Sequence, residues 1–113
     1  MSYRVVLTAK AEEDIASVLE WFRDQRATEA GGRWLVLLKS KLDVLATHPE
    51  RCNRAAESDE IGEDIRELIL GRGPFKHRIL FRCTQKTVYF LRLWHSSRDA
   101  ITPSEVGPDG GSS

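Results

Sequence analysis

Five side chains in the C-terminal half of this sequence could act together: Arg66, Arg78, Arg82, His95 and Arg98. Arginine holds phosphate or carboxylate oxygens through a planar fork of donors, and histidine exchanges protons near neutral pH. Such a set suits contact with an acidic partner. It also suits RNA cleavage by attack of the 2′-hydroxyl, which needs a base, a cation on the phosphate and an acid for the leaving oxygen. Lys76 and Arg82 stand two and four residues from Arg78, on the same face of an extended strand,. That grouping favours a phosphate or acidic-target contact over a merely solvated charge. His95 closes the last apolar run, where a lone histidine is more commonly a hydrogen-bonded structural group. Arg98 and Asp99 can pair with each other, a contact of little energetic consequence at a surface.

The net charge of this 113-residue chain is zero, but it is unevenly spread. Residues 1–63 hold 9 Lys/Arg against 12 Asp/Glu, residues 64–99 hold 8 against 3, and residues 100–113 add two acidic groups. The basic side is expected in the C-terminal half, where an acidic partner should meet it. Cys52 and Cys83 have no metal-ligand spacing, so two reduced thiols in a cytoplasmic protein are expected, with no metal and no cofactor,. The longest apolar runs are far shorter than the roughly 20 residues that cross a bilayer, and the start lacks a signal-peptide pattern,. A soluble protein without membrane contact is expected.

The elements that must position these groups follow from periodicity. Residues 3–8 read as a strand,. Thr8 stands at an N-cap position, and Glu12, Glu13 and Asp14 suit the positive end of a following helix,. Ile15, Val18, Leu19 and Phe22 share one helical face, giving a helix from Ala9 to about Arg26,. Gly31-Gly32 should interrupt or start the second helix, whose stripe is Leu35, Leu38, Leu42 and Leu45 with Trp34 beside it. At two heptads this stripe is better read as a cover for a sheet than as a zipper. His48-Pro49 ends the helix,. Residues 50–63 are acidic and aperiodic, and predict a loop.

Residues 65–70 read as a strand, Gly71 to Pro74 as a turn, and residues 75–83 as a strand with an apolar and a basic face,. Thr84-Gln85-Lys86 makes a hairpin loop, and Thr87–His95 is apolar enough to be central or covered on both sides,. The domain is expected to span residues 1–99, with a proline-, glycine- and serine-rich disordered tail over 100–113,. The expected fold is α+β in the order β-α-α-β-β-β, a helical hairpin packed on a mainly antiparallel four-stranded sheet.

This order resembles the RelE/ParE toxin superfamily across residues 3–99. The matching pieces are Tyr3 to Ala11 followed by Glu13-Asp14-Ile15, then Leu45 with Pro49, Ile65 to Leu68, His77 to Phe81, Leu91 to His95, and Arg98-Asp99. The resemblance implies the toxin of a type II toxin–antitoxin, or plasmid stabilisation, system, and a bacterial source. RelE-like members cut mRNA on the ribosome with basic residues and, often, a C-terminal tyrosine, whereas ParE-like members poison DNA gyrase. The resemblance marks Arg78 as the superfamily's phosphate-holding arginine and Arg66 as another recurrent basic position. Leu68 stands where RelE-like nucleases often carry a lysine, no tyrosine follows Arg98, and the chain is not basic overall,.

These departures favour a ParE-like, non-enzymatic toxin that inhibits gyrase through Arg66, Arg78, Arg82, His95 and Arg98 and is neutralised in a complex with its cognate antitoxin. The alternative is a metal-independent, RelE-like ribosome-dependent endoribonuclease using Arg66, Arg78 and His95. A third reading is a non-toxic binding module. Trp94, Phe90 and Trp34 are expected to bind the antitoxin, with Trp94 on a sheet face lacking helices of its own,.

Overall fold

The computed structural model describes residues 2–71 and 76–95. Residues 72–75, expected as the end of a turn and the start of a strand, the Arg98-Asp99 pair and the tail expected over 100–113 lie outside the described residues.

Strand β1 (Arg4–Leu7) leads directly into helix α1 (Ala9–Asp24) through Thr8. The Thr8 hydroxyl accepts from the Ala11 amide at 3.1 Å and donates to the Leu91 carbonyl at 2.9 Å. One side chain thus caps the helix and fixes the strand beside it. Helix α1 stops two residues short of the predicted end. Arg26 turns left-handed at φ 54°, and the Ala27 amide reaches back to the Phe22 carbonyl at 2.9 Å, a C-terminal closure usually given to glycine.

Helix α2 (Thr28–Thr47) takes Gly31-Gly32 into its opening turns, so of the two expectations the pair lies at the start of the helix and does not interrupt it. The reason is packing. A Cβ on Gly31 would stand 3.2 Å from the Phe22 Cβ, so the missing side chain lets the two helices approach. Leu38 and Leu45 bury as the stripe predicts, while Trp34 takes the inner place expected of Leu35, which is exposed.

The largest correction falls on residues 50–63, expected as a loop. They contain a 3-10 turn (Pro49–Arg51), the two-residue strand β2 (Asn53–Arg54) and a single helical turn, α3 (Ser58–Ile61). Ser58 organises them. Its hydroxyl accepts from the Ile65 amide and the Arg54 Nε, each at 3.0 Å, and donates to the Glu63 carbonyl. None of these pieces is long enough to show a period.

Strands β3 (Arg66–Leu70), β4 (His77–Thr84) and β5 (Thr87–His95) complete a sheet in the order β1-β5-β4-β3-β2. The sheet has five strands rather than four, β2 being the addition, and only β1 with β5 pairs parallel. The α+β class and the helical hairpin stand as expected. Strand β5 is central and covered on both faces. Toward the helices lie Phe81, Val88, Phe90 and Leu93, packed with Trp34, Leu38 and Leu45. On the far face Leu80, Leu91 and Trp94 pack against Ala55 and Ile65.

A bulge sets this arrangement. Leu80 pairs with Arg92 and Phe81 with Phe90, which leaves Leu91 as an extra residue in β5,. Leu91 and Arg92 therefore both belong to the far face, and regular alternation resumes at Leu93. Where β1 ends, Asp14 of α1 closes the open edge of β5. Its carboxylate accepts from the Leu93 amide at 3.0 Å and from Arg92 Nε at 2.7 Å.

Candidate functional site

Alternation along β4 sends His77, Ile79 and Phe81 toward the helices and Arg78, Leu80 and Arg82 to the far face,. Strand β3 is paired so that Ile69 stands opposite Arg78 and Arg66 opposite Phe81. Arg66 therefore lies on the helix side with Leu68 and Leu70. The predicted set is divided by the sheet: Arg78 and Arg82 share one face, and Arg66 and His95 lie on the other. Arg98 falls outside the described residues.

Arg78 is held by three charge-assisted hydrogen bonds. Its two terminal nitrogens reach the Glu57 carboxylate at 2.7 and 2.5 Å, and Nε reaches Glu67 at 2.9 Å. The Glu57 side chain is 2% exposed and that of Arg78 16%, so the fork–fork pair is largely shielded from water,. Hydrogen bonding to Glu57, with a smaller contribution from Glu67, raises the Arg78 pKa against the opposing effect of burial. The group stays charged at every accessible pH. Arg78 is thus the centre of a partly buried triad, with its fork already filled by carboxylates.

The neighbouring arginines are engaged in the same way. Arg82 pairs with Glu63 at 2.5 Å and its guanidinium stands 5.5 Å from the Tyr89 ring centre. Arg54 pairs with Asp59 at 2.7 Å. Arg66 donates to the carbonyls of Glu50 and Cys52 at 3.2 and 3.0 Å, fastening the turn that follows α2. The basic half of the sequence and the acidic stretch before it therefore interleave in space. The far face of the sheet is an ion-pair lattice over an apolar layer, not the basic surface expected from charge counts along the chain.

His95 pairs in register with His77, their rings 5.1 Å apart and nearly perpendicular, and His77 meets Trp34 edge-on at 5.9 Å. This aromatic column lies on the opposite side of the sheet from Arg78. The structure does not bring a proton-transfer group, a phosphate-holding arginine and a second acid together among the described residues. Among them, too, no group of three His, Cys, Asp or Glu could hold a metal ion, and no helix is long and apolar enough to cross a membrane. Cys52 and Cys83 are half-buried free thiols whose pKa values burial pushes up.

Trp34, Phe90 and Trp94 are 8%, 0% and 5% exposed. The expected antitoxin anchors are core residues, and the supposedly bare far face is covered by Ala55, Ile61 and Ile65 of the chain itself. Sequence reasoning missed the partners that matter here: Glu57, Glu67, Asp14 and Arg92. Arg92 did carry a signal, a lone charge in the apolar run Val88–Trp94. Glu57 carried none, because its partner lies 21 residues away.

The family described as "ParE toxin of type II toxin-antitoxin system, parDE" matches residues 5–100. The chain belongs to the ParE toxin family. No curated protein matches it in sequence. A solved chain of the chromosomal ParDE toxin–antitoxin system from P. aeruginosa is similar in fold, with a TM-score of 0.67 at 19% identity. The match covers 82% of the present chain and 95% of that one. As a ParE family member, the chain is a type II toxin on the fold just described.

Proposed function

We propose that this ParE family toxin arrests growth by binding an essential DNA-handling enzyme, DNA gyrase being the family precedent, and that a cognate antitoxin neutralises it. The observation that carries the non-enzymatic reading is the state of Arg78. A phosphate-holding arginine needs its fork open, and this fork is filled by Glu57 and Glu67. The candidate proton carrier, His95, stands across the sheet. A nuclease would need both on one face within reach of one phosphate.

The antitoxin has a better surface than the buried aromatics. Leu37 and Val44, seven residues apart on one face of α2, are exposed, as are Leu35, Trp21 and, at 71%, Val36. Exposed apolar side chains on a helix are suited to a partner that covers them.

Induced expression in a bacterial host, with plasmid supercoiling and mRNA integrity followed together, tests the reading. Growth arrest with lost supercoiling and intact messages supports it. Arrest with cut messages and normal supercoiling replaces it with the ribosome-dependent nuclease, and absence of arrest leaves a binding module on the same fold.

A further inference from the structure

Strands β4 and β5 bring His77 and His95 directly opposite each other, although they are far apart along the chain. Opposed residues on one face of an antiparallel pair hold their Cβ atoms about 4.5–5.5 Å apart. Here the two ring centres are 5.1 Å apart and the ring planes stand at 83°. The strand neighbours on this face are apolar and buried: Leu70 opposite His77, Ile79 beyond it in β4, and Leu93 before His95 in β5. Trp34 of α2 closes the inner side, edge-on to His77 at 5.9 Å. His77 is buried and His95 half-buried, so solvent reaches the pair from the His95 side.

Two imidazoles at this spacing match the reach of one metal ion. A zinc–nitrogen bond is about 2.0–2.1 Å long and the nitrogen lies about 1.1 Å from its ring centre, which puts each ring centre about 3.2 Å from the ion. At the tetrahedral angle the two ring centres then stand about 5.2 Å apart. A histidine ring centre lies close to its Cβ–Cγ axis, so this separation survives rotation about that bond, a torsion with broad minima. Each ring binds a metal through one nitrogen and keeps the other for a hydrogen bond, as ligating histidines do. Nitrogen donors in an apolar shell suit zinc, copper(II) or nickel(II), whereas magnesium and calcium take oxygen ligands.

We infer that His77 and His95 form a two-imidazole site for a borderline divalent cation, zinc above all, on the helix side of the sheet. Among the described residues no group of three histidines, cysteines or carboxylates could hold a metal ion, so water completes the coordination. Unfolding separates the two histidines, so the ion binds the folded chain and ties the ends of β4 and β5 together under α2. The inference is independent of the chain's target and of Arg78, which lies on the other face.

Zinc chloride titrated into the isotope-labelled full chain at neutral pH, followed by NMR and by equilibrium dialysis, tests this. One zinc per chain is expected, with signal shifts centred on His77, His95 and Trp34 and none at His48, Cys52 or Cys83. His95→Gln should weaken binding at least about tenfold, since even the loss of an outer-shell partner costs roughly 10–100-fold. Magnesium chloride at the same concentration should shift nothing. Zinc shifts centred on Cys52, Cys83 or His48 would overturn the proposal, as would equal shifts with magnesium or binding that His95→Gln leaves unchanged. Histidine signals that zinc leaves in place would also overturn it, and would reduce the pair to an edge-to-face ring contact. If His95→Gln does not fold, the map of shifts on the wild-type chain decides alone.

Discussion

Arg78→Ala separates a structural arginine from a target-binding one. The substitution removes three charge-assisted hydrogen bonds and leaves the Glu57 carboxylate, 2% exposed, without its cation. Hydrogen bonds to charged groups contribute roughly 1.5–3 kcal/mol each, which sets a gross loss of about 5–9 kcal/mol. Much of this is recovered, because the truncated side chain leaves space for water beside Glu57, and Glu67 is already partly exposed. Breaking a buried pair from one side costs about 3–5 kcal/mol, and the lower end, about 3 kcal/mol, applies here. For a domain of this size that lowers the melting temperature by roughly 15 °C. Replacing both partners, Arg78→Met with Glu57→Met, removes the uncompensated charge and should restore most of the loss. Urea denaturation gives the stabilities, and growth arrest on induction gives the function. The double variant is expected to be folded and still toxic. A stable double variant without toxicity would show that Arg78 contacts the target, and the reasoning from its filled fork would fail.

Three further outcomes follow from the same contacts. Asp14→Asn weakens the clasp of α1 on Arg92 and Leu93 and should cost about 2 kcal/mol in urea denaturation,; a change under about 0.5 kcal/mol would refute a role for it in closing the β5 edge. Gly31→Val in place of a bare backbone forces Phe22 aside at the helix crossing and should destabilise by about 1–3 kcal/mol,, whereas Gly32→Ala, with no atom within 4 Å of the added carbon, should be neutral or mildly stabilising,. Burial raises the thiols of Cys52 and Cys83 above their ordinary 9.0. A raised folded-state value means the stability they contribute is complete below about pH 9 and is lost as the pH climbs past it. Wild type should therefore lose more stability than Cys52→Ala with Cys83→Ala between pH 8 and 10, and equal losses would contradict the shifts.

Much of the fold was legible because its signals are local. The Thr8 cap, the α1 face from Ile15 to Phe22, the stop at Pro49 and the alternation from His77 to Cys83 each sit within a few residues. Strand β2 and α3 were not, being two and four residues long. The Gly31-Gly32 pair reads as either a break or a start of a helix until the Phe22 contact explains it. The site was less legible than the fold. Which face an arginine occupies depends on parity along its strand, and one residue of register exchanges the faces. Arg66 and Arg78 look alike in sequence but lie on opposite sides. Charge counts along the chain located the arginines and missed that Glu57 and Glu63 fold back onto them.

The most direct test of the account uses purified components. The chain is added to DNA gyrase with relaxed plasmid and, separately, to a translating ribosome with a defined message. Supercoiling is expected to be inhibited and the message to stay whole, and the double variant carrying Arg78→Met and Glu57→Met is expected to give the same two results. A cut message beside normal supercoiling would contradict the account.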